Sequence, residues 1–488
     1  MSADQVSERA VALVSAARTA GAAWAALPVD ERARRLTVAS KDLLAGADEL
    51  ANLVAAETHK PLGEAYSSDV LGVADLFGYW CSQGPQHLAR RKARIPALDM
   101  PGKTGWIERE ARGVIAVISP WNYPVALPMR VIVPALLAGN AVVFKPSEFT
   151  PRSGAWLVNK LRAHLGDVIA VLEGDGAAGA ALIEARPDLI HFTGSTVTGR
   201  KVAVRGAELG IPVESELGGK DCAVVLDDAL LDRTAAGVAW GIVHNAGQDC
   251  ASVERVVVHA RVADRFVPLL VEKLNATASQ VPHLVTATQR QIVIAHIEDA
   301  LAQGGTLLCG GVPADDATPI PPTLITGIPR SARAWAEESF GPIAVIETQH
   351  DDEALIAAAN DTVYGLGGSV WGEDLTRAES VARRLRTGMV WVNNTAFTGA
   401  IPDMPWVGRG ASGNGLTSSP EVLDHLTRPR VVLLDKSKSI EPWWYPYGDT
   451  LLDLMRNLIE RQRVGGVMAT VRTLGALNRR NKALSERS

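Results

Sequence analysis

Cys250 and Glu216 are the residues of this chain whose types suit covalent chemistry. Cys250 stands in the run Asn245-Ala-Gly-Gln-Asp-Cys-Ala-Ser-Val-Glu-Arg255, after a Gly-Gln pair, and is one of four cysteines. Glu216 opens the run Glu216-Leu-Gly-Gly-Lys220, 34 positions earlier. A thiol beside glycine-rich backbone, with a carboxylate to serve as base, fits a nucleophilic cysteine enzyme. A lone cysteine is more often a small buried hydrophobe, so the reading depends on what surrounds Cys250.

The chain has 488 residues, 47% of them hydrophobic and 21% charged, with a net charge of −5. That length suits two or three domains with substantial cores, and nothing in the charge balance points to nucleic acid. Cys81, Cys222, Cys250 and Cys309 are scattered without a CxxC pair. Such spacing argues for a reducing compartment and against a structural metal site. The polar, acidic start Met-Ser-Ala-Asp-Gln-Val-Ser-Glu does not read as a signal peptide. The apolar stretch 131–144 is broken by Pro134, Gly139 and Asn140 and is too short to span a bilayer. A cytoplasmic location is the expectation.

Residues 6–90 have helical periodicity interrupted near Pro28 and Pro61, which predicts three or four helices. The basic, mixed segment 91–111 suits a projecting β-hairpin. Short apolar strands then alternate with helices: strands at 114–118, 141–144, 168–172 and 189–192, with helices at 125–137, 153–164, 177–185 and 198–207. A second series carries strands at 223–226, 256–259, 344–347, 368–371 and 389–392, and a last strand follows at 431–434. The pattern predicts an α/β protein with two doubly wound parallel sheets. Glu216 and Cys250 fall near the junction of the two series, where ligand sites often form.

Five further runs accompany Cys250: Ile118-Ser-Pro-Trp-Asn-Tyr-Pro124, Phe144-Lys-Pro-Ser-Glu148, Phe192-Thr-Gly-Ser-Thr-Val-Thr-Gly199, Glu216-Leu-Gly-Gly-Lys220 and Glu337-Glu-Ser-Phe-Gly-Pro342. In this order the six resemble the motifs of the aldehyde dehydrogenase superfamily, over roughly residues 6 to 434. The resemblance implies a cofactor-binding domain over 1–216 that carries the 91–111 oligomerisation hairpin, and a catalytic domain over 217–413. A return segment and oligomerisation strand over 414–434 and a basic extension over 435–488 complete the chain. It also implies a homodimer or homotetramer and a small-molecule aldehyde as substrate.

By the same resemblance Cys250 is the nucleophile, and Asn122 with the Cys250 backbone N–H holds the oxyanion. Glu216 is the base that activates water, and its presence favours a free acid over a coenzyme A thioester. The cofactor residues would be Ser119, Pro120, Trp121, Lys145, Ser147, Glu148, Gly194, Ser195, Thr198, Gly199, Leu217, Glu338 and Phe340. The run 194–199 sits where a strand enters a helix, so its N–H groups can hold a pyrophosphate. Glu148 would accept hydrogen bonds from both adenosine ribose hydroxyls and repel a 2′-phosphate, which predicts NAD in preference to NADP. The run Gly174-Asp-Gly-Ala-Ala-Gly179 matches GxGxxG, but no acidic residue follows about 20 positions on at a strand end, and it reads as a turn.

The usual Pro-Phe-Gly-Gly-x-Lys-x-Ser-Gly run appears as Pro405-Trp-Val-Gly-Arg-Gly-Ala-Ser-Gly413, with two bulkier residues near the substrate entrance. His59 stands where glycine is common and reads as structural. Arg130, eight residues after Asn122, matches a position that holds Arg in members oxidising succinate semialdehyde. It could pair with a distal carboxylate or face outward. A semialdehyde such as succinate semialdehyde is therefore one expected substrate. The alternative is a long-chain or aromatic aldehyde, with a C-terminal helix that meets a membrane. The extension 435–488 carries ten Lys/Arg and six Asp/Glu, with Leu451, Leu452, Leu454, Met455, Leu458 and Ile459 at helical spacing. Such a basic amphipathic helix can lie on a membrane or pack on protein; packing is the expectation, and membrane contact is not favoured.

Overall fold

A computed structural model describes residues 2–96 and 100–486. The chain divides into two compact units, one of residues 1–89 and 109–428, the other of residues 90–108 and 429–488.

The first unit opens with the helices Ala3–Ala25, Val29–Ala45 and Ala47–Thr58. Pro28 and Pro61 each precede a helix start, where a missing N–H costs nothing. Five parallel strands follow in the order Ile169–Val171, Ala141–Lys145, Val114–Ile118, Leu189–Thr193, Val213–Glu216. Every residue of the three central strands is buried, as expected for a sheet with helices on both faces. A seven-stranded sheet runs Thr306–Cys309, Thr323–Thr326, Ile343–Gln349, Val253–His259, Asp221–Val225, Gly368–Trp371, Trp391–Val392. It is parallel except at the Thr306–Cys309 edge. The two doubly wound sheets predicted from strand–helix alternation are therefore present, and 216 ends the last strand of the first.

In the second unit the strand Arg91–Lys92 pairs antiparallel with Lys103–Ala111. Residues 97–99 of the expected hairpin lie outside the described residues. The last strand is Thr427–Asp435, longer than the 431–434 core read from the sequence. The extension forms two helices, Asp449–Val464 and Gly466–Ser485, instead of the single one expected. Gly465 and Gly466 have φ of 67° and 81°, a left-handed turn that side chains resist and glycine allows.

Candidate active site

The strand Val213–Glu216 delivers Glu216 at its C-terminal end, and the strand Val253–His259 begins three residues after Cys250. Gly219 lets these segments meet: a Cβ there would stand 2.2 Å from the Cys250 carbonyl oxygen. The Cys250 loop departs from ordinary backbone, with φ of 52° at Asn245 and 54° at Ala246. Non-glycine residues hold such angles only when neighbours enforce them. Here the Asn245 side chain donates to the carbonyls of Asn122 and Gln248, each at 3.0 Å. Asn122 in turn donates through Nδ2 to the Gln248 carbonyl at 3.1 Å. The Tyr123 hydroxyl donates to Asp249 at 2.6 Å. Buried Asp69, paired with Lys60 at 2.8 Å, accepts from the N–H groups of Val125 and Ala126. The loop bearing Asn122 is thus tied to the loop bearing Cys250.

Cys250, Glu216 and Asn122 are all buried. The Glu216 carboxylate accepts from the Trp406 indole N–H at 3.2 Å through Oε1, while its Oε2 has no partner. Asn122 Oδ1 is likewise buried and unpartnered. Native interiors seldom leave such atoms unsatisfied, and functional sites are where they do. Burial raises the Glu216 pKa to about 7, against the Trp406 indole N–H, the adjacent Cys250 thiol and nearby Arg130, which lower it. Burial, then the charges of Glu216 and Asp249, push the Cys250 thiol well up. At neutral pH the thiol is protonated, and Glu216 is divided between its acid and carboxylate forms, the latter able to accept the thiol proton.

One side of Cys250 is apolar, packed with Ala251, Leu366, Met389, Trp391 and Trp406. On another side lies a cavity of about 550 Å³. Of the residues nominated for a cofactor, Pro120, Trp121, Gly194, Ser195, Leu217, Glu338 and Phe340 line it, together with Asn122, Glu216 and Cys250. Ser195 caps the helix Thr196–Leu209 and accepts from the Thr198 N–H at 3.3 Å. Gly199 passes so close to Leu217 that a Cβ would meet its Cδ2 at 2.3 Å. Ser119, Lys145, Ser147 and Glu148 lie outside the cavity lining, at and beyond the C-terminal ends of the paired strands Val114–Ile118 and Ala141–Lys145. The Lys145 ammonium is buried and 3.4 Å from Glu148. Trp121 meets Phe340 edge to face at 5.6 Å.

Glu338 accepts from the Gly219 N–H at 2.9 Å, and a Cβ at Gly218 would collide with its carboxylate. Burial and the neighbouring Glu254 raise its pKa to about 8. Phe340 holds a φ of 52° because Glu254 accepts both its N–H and that of Ser339 at 2.8 Å. Lys220 pairs with Glu254 in the interior, and Arg255 donates to the carbonyls of Lys220, Ala358 and Ala359. The Val-Glu-Arg end of the Cys250 run is therefore scaffold. The Gly174 run follows the strand Ile169–Val171 and, where the sequence reads as a turn, its last four residues open the helix Gly176–Glu184, which Asp175 caps; it does not line the cavity.

Gln289, Ile292, His296 and Arg333 also line the cavity and were not foreseen. The first three share a face of the helix Ala287–Ala302 by their spacing; that stripe was visible in the sequence, but nothing said it faced the cofactor side. Arg130 lies with its guanidinium 4.9 Å from the Trp406 ring and donates to the Gly399 carbonyl at 3.0 Å.

The cavity's shape and donors fit a dinucleotide, with a helix N-terminus and Ser195 for phosphates, a carboxyl for a ribose hydroxyl and an aromatic wall for a planar ring. The sequence model of the aldehyde dehydrogenase family matches residues 2–432. The 4,4′-diapolycopene aldehyde oxidase of Methylomonas sp. is 37% identical over 88% of this chain and 82% of its own length. The chloroplastic betaine aldehyde dehydrogenase of Amaranthus hypochondriacus is 34% identical over 88% of each chain. The solved P. syringae indole-3-acetaldehyde dehydrogenase, in complex with NAD+, superposes with a TM-score of 0.83 at 31% identity, covering 88% of this chain and 89% of that one. Succinate semialdehyde, expected from Arg130, finds no support in these relatives, and the Arg130 guanidinium is already engaged by Trp406 and Gly399. Sequence, fold and cavity agree: the chain belongs to the aldehyde dehydrogenase family and is an oxidoreductase that oxidises aldehydes with a nicotinamide dinucleotide.

Proposed function

We propose that the protein oxidises an uncharged aldehyde with an apolar or aromatic body to the free acid, using NAD, through a thioester on Cys250. The observation that carries the chemistry is the convergence of the Cys250 thiol, the Glu216 carboxylate and the Asn122 amide at one end of the cavity. Glu216 takes the thiol proton, and the Cys250 sulfur bonds to the aldehyde carbon to give a tetrahedral thiohemiacetal. The Asn122 amide and the Cys250 backbone N–H would donate to the oxygen that gains charge. When bound, the cofactor supplies the hydride acceptor that converts this adduct to the thioester. Glu216, after releasing the thiol proton to solvent, removes a proton from water as the hydroxide adds to the acyl carbon. The C–S bond breaks, the acid leaves and the sulfur recovers its proton. Asn122→Ala is expected to lower kcat by about 10²–10³-fold with KM little changed, as read from NADH absorbance.

The cofactor reading rests on the chain's own residues. Gly194, Ser195, Thr198 and Gly199 would hold phosphates, Lys145, Ser147 and Glu148 the adenosine ribose, and Glu338 and Phe340 the nicotinamide end. The half-exposed Glu148 carboxylate beside Lys145 would disfavour a 2′-phosphate. The substrate reading is supported by the tryptophan and methionine side chains packed about Cys250. It is also supported by Arg130, whose cation already occupies a face of Trp406 and would repel a quaternary ammonium. The reading includes a homodimer or homotetramer, for which the exposed Val431 and Leu433 of the strand Thr427–Asp435 offer an apolar face. Four free thiols suit a cytoplasmic location.

One assay matrix tests this function. NADH and NADPH formation is followed for aromatic, polyene, cationic and ω-carboxylated aldehydes. The expected order places aromatic and polyene aldehydes with NAD at least about tenfold above the charged ones in kcat/KM, the effect of about 1.4 kcal/mol in transition-state binding. A preference for betaine aldehyde or for NADP would overturn the corresponding half of the reading.

A further inference from the structure

The helical hairpin at residues 449–485 has two apolar faces, and only one of them is used within it. On the inner face Leu454, Ala469, Thr473, Ala476 and Leu484 are buried, and the Thr473 hydroxyl donates to the Asn457 carbonyl at 3.0 Å, linking the two helices. Buried Arg480 donates to the carbonyls of Pro442, Trp444 and Pro446 and fixes the preceding segment against the second helix. This packing is between the two helices of the extension itself.

The opposite face is open. Val467, Val471 and Leu474 recur at helical spacing along the second helix, with Met468 beside them; Val467 is 79% exposed, Met468 70% and Val471 56%. Ile459 and Val464, at the adjoining end of the first helix, are also exposed. Arg456 and Arg463 share the exposed stripe of Ile459, and Arg472 follows Val471. Residues 435–488 carry a net charge of +4 in a chain of −5, which leaves −9 on the rest.

We propose that this hairpin tip docks on the surface of an anionic phospholipid bilayer. Exposed apolar side chains interleaved with arginines match the two layers of such a surface: the former enter the acyl boundary, and the latter meet the phosphates. Segregation of positive charge onto the extension turns this end of the chain toward an anionic surface. A second copy of the chain fits less well, because a two-fold contact through this face would gather Arg456, Arg463 and Arg472 of both copies into one interface. Among the described residues no single helix is long and apolar enough to cross a membrane, so the contact is interfacial.

Flotation of the full-length protein tests this with vesicles of phosphatidylcholine alone and of phosphatidylcholine with about one-third phosphatidylglycerol. The wild type is expected to float with the anionic vesicles at low salt, at least about tenfold more than with the neutral ones, and to detach as salt rises. A Val467→Asp/Met468→Asp/Val471→Asp variant and an Arg456→Gln/Arg463→Gln/Arg472→Gln variant should each lose about tenfold or more of that binding. Both should retain wild-type oxidation of a soluble aldehyde, which reports an intact fold. Equal flotation of wild type and both variants, or none by the wild type, overturns the proposal. So does a fall in sedimentation mass of the aspartate variant, which would assign the face to contact between copies.

Discussion

Cys250→Ala is expected to abolish aldehyde oxidation, lowering kcat by about 10⁴-fold or more, while dinucleotide binding followed by NADH fluorescence persists. The sulfur is the atom to which the substrate carbon bonds, and its apolar neighbours Ala251, Leu366, Met389, Trp391 and Trp406 offer no nucleophile in its place. Cys250→Ser separates bulk from chemistry, since it keeps the shape and a hydroxyl but raises the barrier to forming the anion. Near-complete loss is expected there as well, and a fully active serine variant would sink the covalent route. Because burial and two carboxylates hold the thiol well above its usual pKa, the thiolate is made only as its proton is taken. This links the first step to the second residue of the pair.

Glu216→Gln is expected to leave a burst of NADH close to one per active site, followed by turnover slowed about 10²–10⁴-fold. The amide keeps the shape of the carboxylate but cannot deprotonate water, so the acyl group stays on sulfur. If thiol deprotonation also depends strongly on Glu216, the burst itself slows, and rapid mixing separates the two steps. Unchanged steady-state turnover would remove Glu216 from hydrolysis. The pH dependence has a definite sign. Glu216 must be ionised to act, and burial raises its pKa to about 7, so kcat/KM should fall as pH drops below about 7 and level off above it. An acid limb near the ordinary carboxylate range would mean that water reaches Glu216 freely.

Much of the chemistry was legible in residue types and order. Cys250, Glu216 and Asn122 stand in runs that are informative through their order together, not singly, and strand–helix alternation implied both parallel sheets because buried parallel strands are continuously apolar. Helix N-termini such as that at Ser195 are encoded locally, by a capping hydroxyl at a strand end.

Interactions between segments distant in the chain were decided only by the tertiary structure. Trp406 reads in sequence as a bulky replacement in a glycine-rich loop; folded, its indole reaches Glu216 across 190 positions and tunes the base. Arg130 reads equally as a carboxylate receptor or as an outward-facing side chain, and the fold sets Trp406 and Gly399 against its guanidinium. Glu254 and Arg255 look like part of a reactive motif, and burial makes them the scaffold that holds Phe340 and neighbouring backbone. The physical reason is common to all three. Residue type and spacing specify what a side chain can do, whereas its desolvation and its partners come from segments far away in the chain. Residue types and the order of the motifs thus pointed to the candidate nucleophile and base and to the two-sheet architecture, and packing set the proton affinity of Glu216 and the surroundings of Cys250.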